Sequence, residues 1–291
     1  MSDPNPTQQE RLFTAIAARF GAASAPPRSA FDRAAAEPLG LDELVRMLEH
    51  SSHRRWTERP VDQTLLRILF AAALSAPSKS DLQQADIIHV ADRLKVQALA
   101  DLIPDMPWIS QAPVVLVFCG NNRRIRQIGE WRGKPFVNDH LDHFMNAAVD
   151  AGIVMAQFIR AAEAVGLGVV PISAMRNHSG ATSEILGLPD AVFPVAGLCV
   201  GYPVESGRII PRLSMEVTVH TDVFSEEGVQ EHIDAYDQRR HAQFPLRRQR
   251  YPDLYPDASF NGWSEDKARH YSVPERADFG DFIRKKKFSL R

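Results

Sequence analysis

Apolar residues recur at helical spacing in some stretches and run continuously in others, and that contrast sets the expected elements. LDELVRMLEH from Leu41 reads as a helix. A second helix follows Pro60, where Asp62 can cap and Leu65, Leu66, Leu69, Ala72 and Ala73 supply the apolar spacing. DIIHVAD (Asp86–Asp92) alternates as a strand, and DRLKVQALADLI is amphipathic. PVVLVFCG (Pro113–Gly120) and VFPVAGLCVGYP are continuous apolar runs, the pattern of strands covered on both faces. The longest helix is expected from Asp139 to Val165. Leu141, Phe144, Ala148, Ala151, Val154, Met155, Phe158 and Val165 spread over most of its circumference, so it belongs in a large core or across a subunit interface. Gly166 and Gly168 end it. VVPISAMRN then reads as a strand running into a loop, followed by a small helix at Thr182–Leu186. GRIIPRLSMEVTVHTD reads as an extended arm, and NNRRIRQIGEWRGKP as a polar, basic surface excursion. Two last helices fall near Val229–Gln243 and Pro274–Lys286, with a loop rich in Arg, Tyr, Pro and Asp between them. Strands mixed with long helices predict an α/β or α+β sandwich.

The first forty residues break this pattern. A short helix at Gln8–Phe20 gives way to GAASAPPRSAFDRAAAEP, an extended connector by composition. The expected organisation is an extension, 1–40, and one domain, 41–291. At 291 residues, 44% hydrophobic and 24% charged, the chain has the material for a full core. A formal net charge of −2 gives no reason to expect nucleic acid or a membrane surface as partner. No apolar run approaches the roughly 20 residues of a membrane helix, and MSDPNPTQQER is unlike a secretory leader. The two cysteines, Cys119 and Cys199, lie inside strand-like runs and read as buried reduced thiols, hence a cytoplasmic protein.

Candidate chemistry is sparse. HSSHRRWTERP (His50–Pro60) packs Ser51, Ser52, a histidine and two arginines between two helices. Hydroxyl, backbone and guanidinium donors there suit a phosphate; a solvated basic turn is the alternative. SAPSKSDLQQ (Ser75–Gln84) brings Ser78, Lys79, Ser80, Gln83 and Gln84 into one turn, able to line a heterocycle with alternating donors and acceptors or merely to cap. HLDHFMN offers His140 and His143 with Asp139 and Asp142, but no third cluster completes a metal site, and a solvated helix start accounts for it. GLGVVP follows a helix and has Pro171 where a dinucleotide fingerprint needs glycine. No serine elbow or activated cysteine is present, so nucleophilic catalysis has no candidate.

The ordered set is more informative than any member. A phosphate-type link near Ser52, a serine-rich turn, an apolar helix closed by GLG, a PIxxxRN loop, a strand ending GYP and then PRL resemble the flavin-dependent nitroreductase superfamily. Within it they resemble the NAD(P)H–flavin oxidoreductase and oxygen-insensitive major nitroreductase branch, over about residues 41–287. The resemblance implies an α+β fold with a central mixed, mainly antiparallel sheet, a long buried helix and an entwined homodimer holding FMN at its interface. It carries Ser52 and Arg54 to the phosphate and ribityl contacts, with His50 and Ser51 flanking them in the cofactor site, and Ser78 and Ser80 to the serine turn, with Gln83 as its following amide. Ile172, Ser173 and Ala174 match the loop passing the flavin ring, and Arg212 the arm residue that reaches the phosphate. Ser51 and Ile210 stand where the branch has cations, and Arg55 or Arg208 are candidates to compensate. The implied activity is ping-pong hydride transfer from NADPH or NADH, through flavin N5, to nitroaromatics, quinones or flavins. A flavin carrier or sensor without nicotinamide turnover is the alternative, as are ene reduction and reductive dehalogenation.

Overall fold

Every residue of β2 (Val114–Asn121) is buried, and its side chains feed two different cores. Leu116 and Phe118 face one cluster with Leu66, Leu69, Ala151, Val154 and Phe158; Val115, Val117 and Cys119 face another with Val96, Leu99, Ile109 and Met175. The period-two alternation of a strand thus explains a run with no polar position from Val114 to Gly120. The computed structural model describes residues 7–22 and 41–291, apart from the side chains of Gln8 and Gln9; the connector at 23–40 lies outside the described residues.

β2 sits inside a sheet ordered β1-β2-β4-β3, with β1 at Ala85–His89, β3 at Gly168–Ile172 and β4 at Val192–Gly201. All three pairings are antiparallel. One parallel bridge, Ser52 to Val169, adds the mixed element on the outer side of β3. Between β2 and β4 the register shifts so that Val195 bulges out beside Pro194, where a residue without an N–H is tolerated. Helices α3 (Gln63–Leu74) and α6 (Leu141–Ala164) cover one face, with Asp62 Oδ1 accepting the Leu65 N–H at 3.0 Å as expected of a cap. Phe158 of α6 is fully buried, edge-on to Phe118 at 6.0 Å. Burial of such a ring contributes about 1.5–3 kcal/mol. The second face carries α4 (Arg93–Asp101), a 3-10 segment at Pro107–Gln111 and α7 (Ser179–Leu186). Together these elements make an α+β fold.

The chain divides into two units, Met1–Ser51 with Gly207–Glu275, and Ser52–Ser206 with Arg276–Arg291. The sheet belongs to the second. In the first, α1 (Gln8–Phe20) begins with a capping box, Thr7 and Glu10, and packs Leu12 and Ile16 on Leu41, Val45 and Leu48 of α2 (Leu41–Leu48). The arm from Gly207 includes a turn of helix, α8 (Met215–Thr218), and leads to α9 (Val229–Gln243).

Three local expectations change. The basic stretch after β2 is a helix, α5 (Arg123–Trp131), because Asn121 Oδ1 accepts the N–H groups of Arg123 and Arg124 at 2.9 and 3.1 Å. The Arg/Tyr/Pro-rich region hides α10 (Trp263–Tyr271), whose start is fixed by Asp237 taking the Ser264 N–H at 3.0 Å. Its Arg269 is buried and donates to the Arg250 and Pro256 carbonyls at 3.1 and 2.7 Å, so polar bonds distant in sequence, not periodicity, hold it. The last helix, α11, is shorter than expected, Phe279–Lys285, since Arg276 sits at φ +55°.

Candidate functional site

Ser52 to Thr57 laces the outer edge of the sheet. The His53 N–H donates to the Val169 carbonyl at 2.9 Å, Trp56 Nε1 donates to the Gly168 carbonyl at 3.1 Å, and the Thr57 N–H donates to the Tyr202 carbonyl at 2.8 Å. Gly168 is required here: a Cβ would lie 2.8 Å from the His53 ring. With His53 and Trp56 turned against the sheet, Ser52 and Arg54 are left exposed. Arg54 lies over the Trp108 ring at 5.8 Å and, like the Ser52 hydroxyl, enters no hydrogen bond or ion pair among the described residues. A cation–π contact leaves all its N–H donors available.

β3 ends beside this edge. Ile172 is buried as its last residue, and Ser173 opens a 3-10 turn, Ser173–His178. Ser173 is exposed and Ala174 half-buried; as first residues of a helical turn, their N–H groups have no acceptor within it. Arg176 donates to the Val195 carbonyl, which the β4 bulge turns out of the sheet, and burial together with Arg276 pushes its pKa down.

The serine turn has a different character. Ser78 Oγ donates to Asp150 Oδ2 at 2.6 Å and accepts the Gln83 N–H at 2.8 Å. Asp150, buried in α6, also accepts the backbone N–H groups of Lys79 and Gln84 at 3.3 and 3.1 Å. One carboxylate therefore organises the whole turn. Ser80, Asp81 and Gln83 all adopt positive φ, between 50° and 56°, a conformation that persists only when surroundings enforce it. Ser80 and Gln83 are exposed, and Gln83 lines a cleft of about 550 Å³ together with Ser78, Asp86, Arg124 and Asp150. Gln84 is fully buried, with its side-chain amide donating to Asn122 Oδ1. Gln84, a candidate to line a heterocycle, is thus turned inward, and Asp150 was not among the expected site residues. The signal for Asp150 was present, a lone acid amid apolar positions of the longest helix.

In the first unit, His50 and Ser51 follow α2, and Arg212 lies on the arm. Arg212 is exposed and its side chain forms no hydrogen bond or ion pair among the described residues; its N–H donates to the Arg19 carbonyl at 2.6 Å.

The second unit brings Ser52, Arg54 and Ile172–Ala174 to one edge and leaves Ser78–Gln83 at the opposite one. Ser52 lies beyond β3 and the turn precedes β1, four strand spacings apart, roughly 19 Å. They also differ along the strands. Ala85 is level with Phe193 at the start of β4, and Val169 with Val200 near its end, adding roughly 20 Å.

His140 is exposed but His143 is buried against Phe136, 5.0 Å away, so half of the supposed solvated helix start is interior; burial pushes its pKa down. No group of three or more His, Cys, Asp or Glu side chains gathers as a metal site among the described residues. Burial raises both thiols, Cys119 to about 12, so neither is a nucleophile. No helix of the described residues is long and apolar enough to cross a membrane.

Two family models match the chain, nitroreductase family over residues 47–202 and nitroreductase family, C-terminal domain, over residues 211–291. An FMN reductase [NAD(P)H] of Bacillus subtilis is 36% identical over 203 residues, 68% of this chain and 82% of that one. An NADPH-flavin oxidoreductase of Vibrio harveyi is 33% identical over 205 residues, 70% of this chain and 83% of that one. The solved structure of NfrA2 from B. megaterium superposes with a TM-score of 0.77 at 29% identity, covering 86% of this chain and 99% of that one. With both family models matched and the sheet and helices laid out as in that solved relative, this chain belongs to the nitroreductase family.

Proposed function

We propose that the chain is an FMN-dependent oxidoreductase that uses NAD(P)H to reduce electron-poor acceptors such as nitroaromatics, quinones or flavins. One observation carries this reading: Ser52 and Arg54 present uncommitted phosphate donors along the edge of β3, whose end bears the open N–H groups of Ser173 and Ala174. Such a set fits a mononucleotide with a phosphate at one end and a polar heterocycle at the other. Ser52, Arg54 and Arg212, flanked by His50 and Ser51, hold the phosphate and ribityl chain. Ile172, Ser173 and Ala174 back the ring, and Ser80 and Gln83 close its edge. FMN, when bound, supplies the hydride chemistry, taking two electrons from the nicotinamide and passing them to the acceptor in ping-pong order. The protein's residues bind, orient and exclude water.

The site requires two copies of the chain. Ser52 and Gln83 of one protomer are too far apart for one mononucleotide, so the serine turn serves the flavin of a second copy. The apolar stripe left exposed on α6, Met145, Val149 and Ile153 at four-residue spacing, supports the homodimer. The flavin-binding region spans 41–291, and the enzyme works in the cytoplasm, where reduced nicotinamides are held.

The purified protein is expected to be a yellow dimer whose absorbance near about 450 nm bleaches anaerobically with NADPH or NADH. Absence of bleaching by both donors would refute the reductase reading; a colourless protein that cannot take up FMN removes the flavin altogether. Shared sites are tested by co-expression. Arg54→Ala and Gln83→Ala protomers each lose FMN alone, while the mixed dimer rebuilds one intact site and holds about half the wild-type flavin. Retention below a tenth of wild type would mean that each site lies within one protomer.

A further inference from the structure

Helix α1 lies ahead of residue 47, where the family match begins, yet its Arg19 reaches into the segments assigned to the flavin phosphate. Arg19 is buried at 5% exposure. Its Nε and Nη2 donate to the Leu48 carbonyl at 3.2 and 2.7 Å, and Nη2 also donates to the His50 carbonyl at 2.7 Å. Nη1 donates to the Ile210 carbonyl at 3.0 Å. The Arg19 carbonyl in turn accepts the Arg212 N–H at 2.6 Å. One residue thus ties the exit of α2, which delivers His50 and Ser51, to the arm that delivers Arg212.

The chemistry of these contacts is that of a cap. The last carbonyls of α2 have no partner inside the helix, and a cation at that end also meets the negative pole of the helix. A planar guanidinium can hold three carbonyls in fixed directions, which a flexible ammonium cannot. The arm is pinned from its other side as well: Tyr236 Oη donates to the Pro211 carbonyl at 3.1 Å and Arg239 Nη2 to the Arg212 carbonyl at 2.8 Å. Three successive arm carbonyls are occupied, while the Arg212 side chain stays exposed.

We propose that Arg19 is a positioning residue for the phosphate end of the flavin site and that α1 is a brace built onto the family fold to hold it. The brace rests on the flavin reading above. It acts through the registration of His50, Ser51 and Arg212, so its loss weakens the grip on phosphate and leaves the hold on the isoalloxazine ring intact.

FMN and riboflavin, which lacks the phosphate, are titrated into apoprotein by fluorescence quenching. Wild type is expected to prefer FMN by at least about tenfold. Arg19→Ala is expected to cut FMN affinity by about tenfold while riboflavin affinity moves less than about twofold. Arg11→Ala, which removes only the exposed Arg11–Glu49 ion pair of the same helix, is expected to change neither. In Arg212→Ala protein the added Arg19→Ala change is expected to cost less than it does in wild type. If Arg19→Ala does not fold, Arg19→Lys carries the same test, with an expected loss for FMN of about threefold or more. A wild type without preference for FMN overturns the phosphate reading and the brace together. A preference that persists in the Arg19 variant, or falls equally in Arg11→Ala, overturns the brace alone.

Discussion

Two stretches of similar composition, Ser52–Arg54 and Ser78–Gln83, put serine hydroxyls and basic or amide groups to opposite uses. At the first, the backbone is bonded to β3 and the polar ends of Ser52 and Arg54 are left exposed and uncommitted. At the second, the hydroxyl of Ser78 is spent both as donor and as acceptor inside the turn, on a buried carboxylate. A hydroxyl has one proton to give, and Ser78 gives it to Asp150. The first leaves its donors free; the second is a scaffold that holds Ser80 and Gln83 in an otherwise unfavourable conformation.

The contrast breaks or sharpens under mutation. The largest effect belongs to Asp150→Ala, which leaves the Ser78 hydroxyl and two backbone N–H groups unsatisfied in a buried place. A loss of about 3 kcal/mol is expected, lowering the melting temperature by roughly 10 °C in calorimetry. A shift below about 2 °C would mean that the turn holds itself. Arg54→Ala is next and opposite in kind: FMN affinity falls about tenfold, with the melting temperature unchanged to within about 1 °C. Unaltered affinity would remove the outer edge from the flavin site. Ser78→Ala should cost about 1 kcal/mol in chemical denaturation, because Gln83 N–H and Asp150 each lose a partner. If it lowers FMN affinity at unchanged stability, the turn's serine contacts the ligand after all. The smallest effect is expected of Arg55→Ala. Arg55 pairs with Glu205 at 3.5 Å with 71% of its side chain exposed, so neither stability nor flavin binding should move measurably. A clear loss of flavin would make Arg55 the cation that compensates for Ser51.

Where periodicity governs, the sequence was legible. The helices at Gln8–Phe20, Gln63–Leu74 and Val229–Gln243 and the buried strands β2 and β4 form where apolar spacing and the Asp62 cap foretell them. α10 was not legible, because its anchor Arg269 bonds to carbonyls 13 and 19 residues away. His143 was misjudged because a histidine beside acids at a helix start carries no sign of the Phe136 ring that covers it. The same limit applies to the candidate site. The residue types of HSSHRR and SKSDLQ announced donors, but nothing in their spacing distinguished exposed hydroxyls from internally bonded ones.

By itself the sequence determined the strands, most helices and the ordered set of polar segments, since each depends on local pattern and side-chain chemistry, while that pattern left α/β and α+β both open. Only the tertiary structure decided how those segments are used. Strand pairing set Ser52 and the serine turn at opposite edges of one sheet, burial gave Asp150 command of that turn, and α1 packed on α2 lets Arg19 hold His50 and Ile210, 160 residues apart in the chain. These follow from contacts between residues distant in sequence, whose partners a linear pattern does not name.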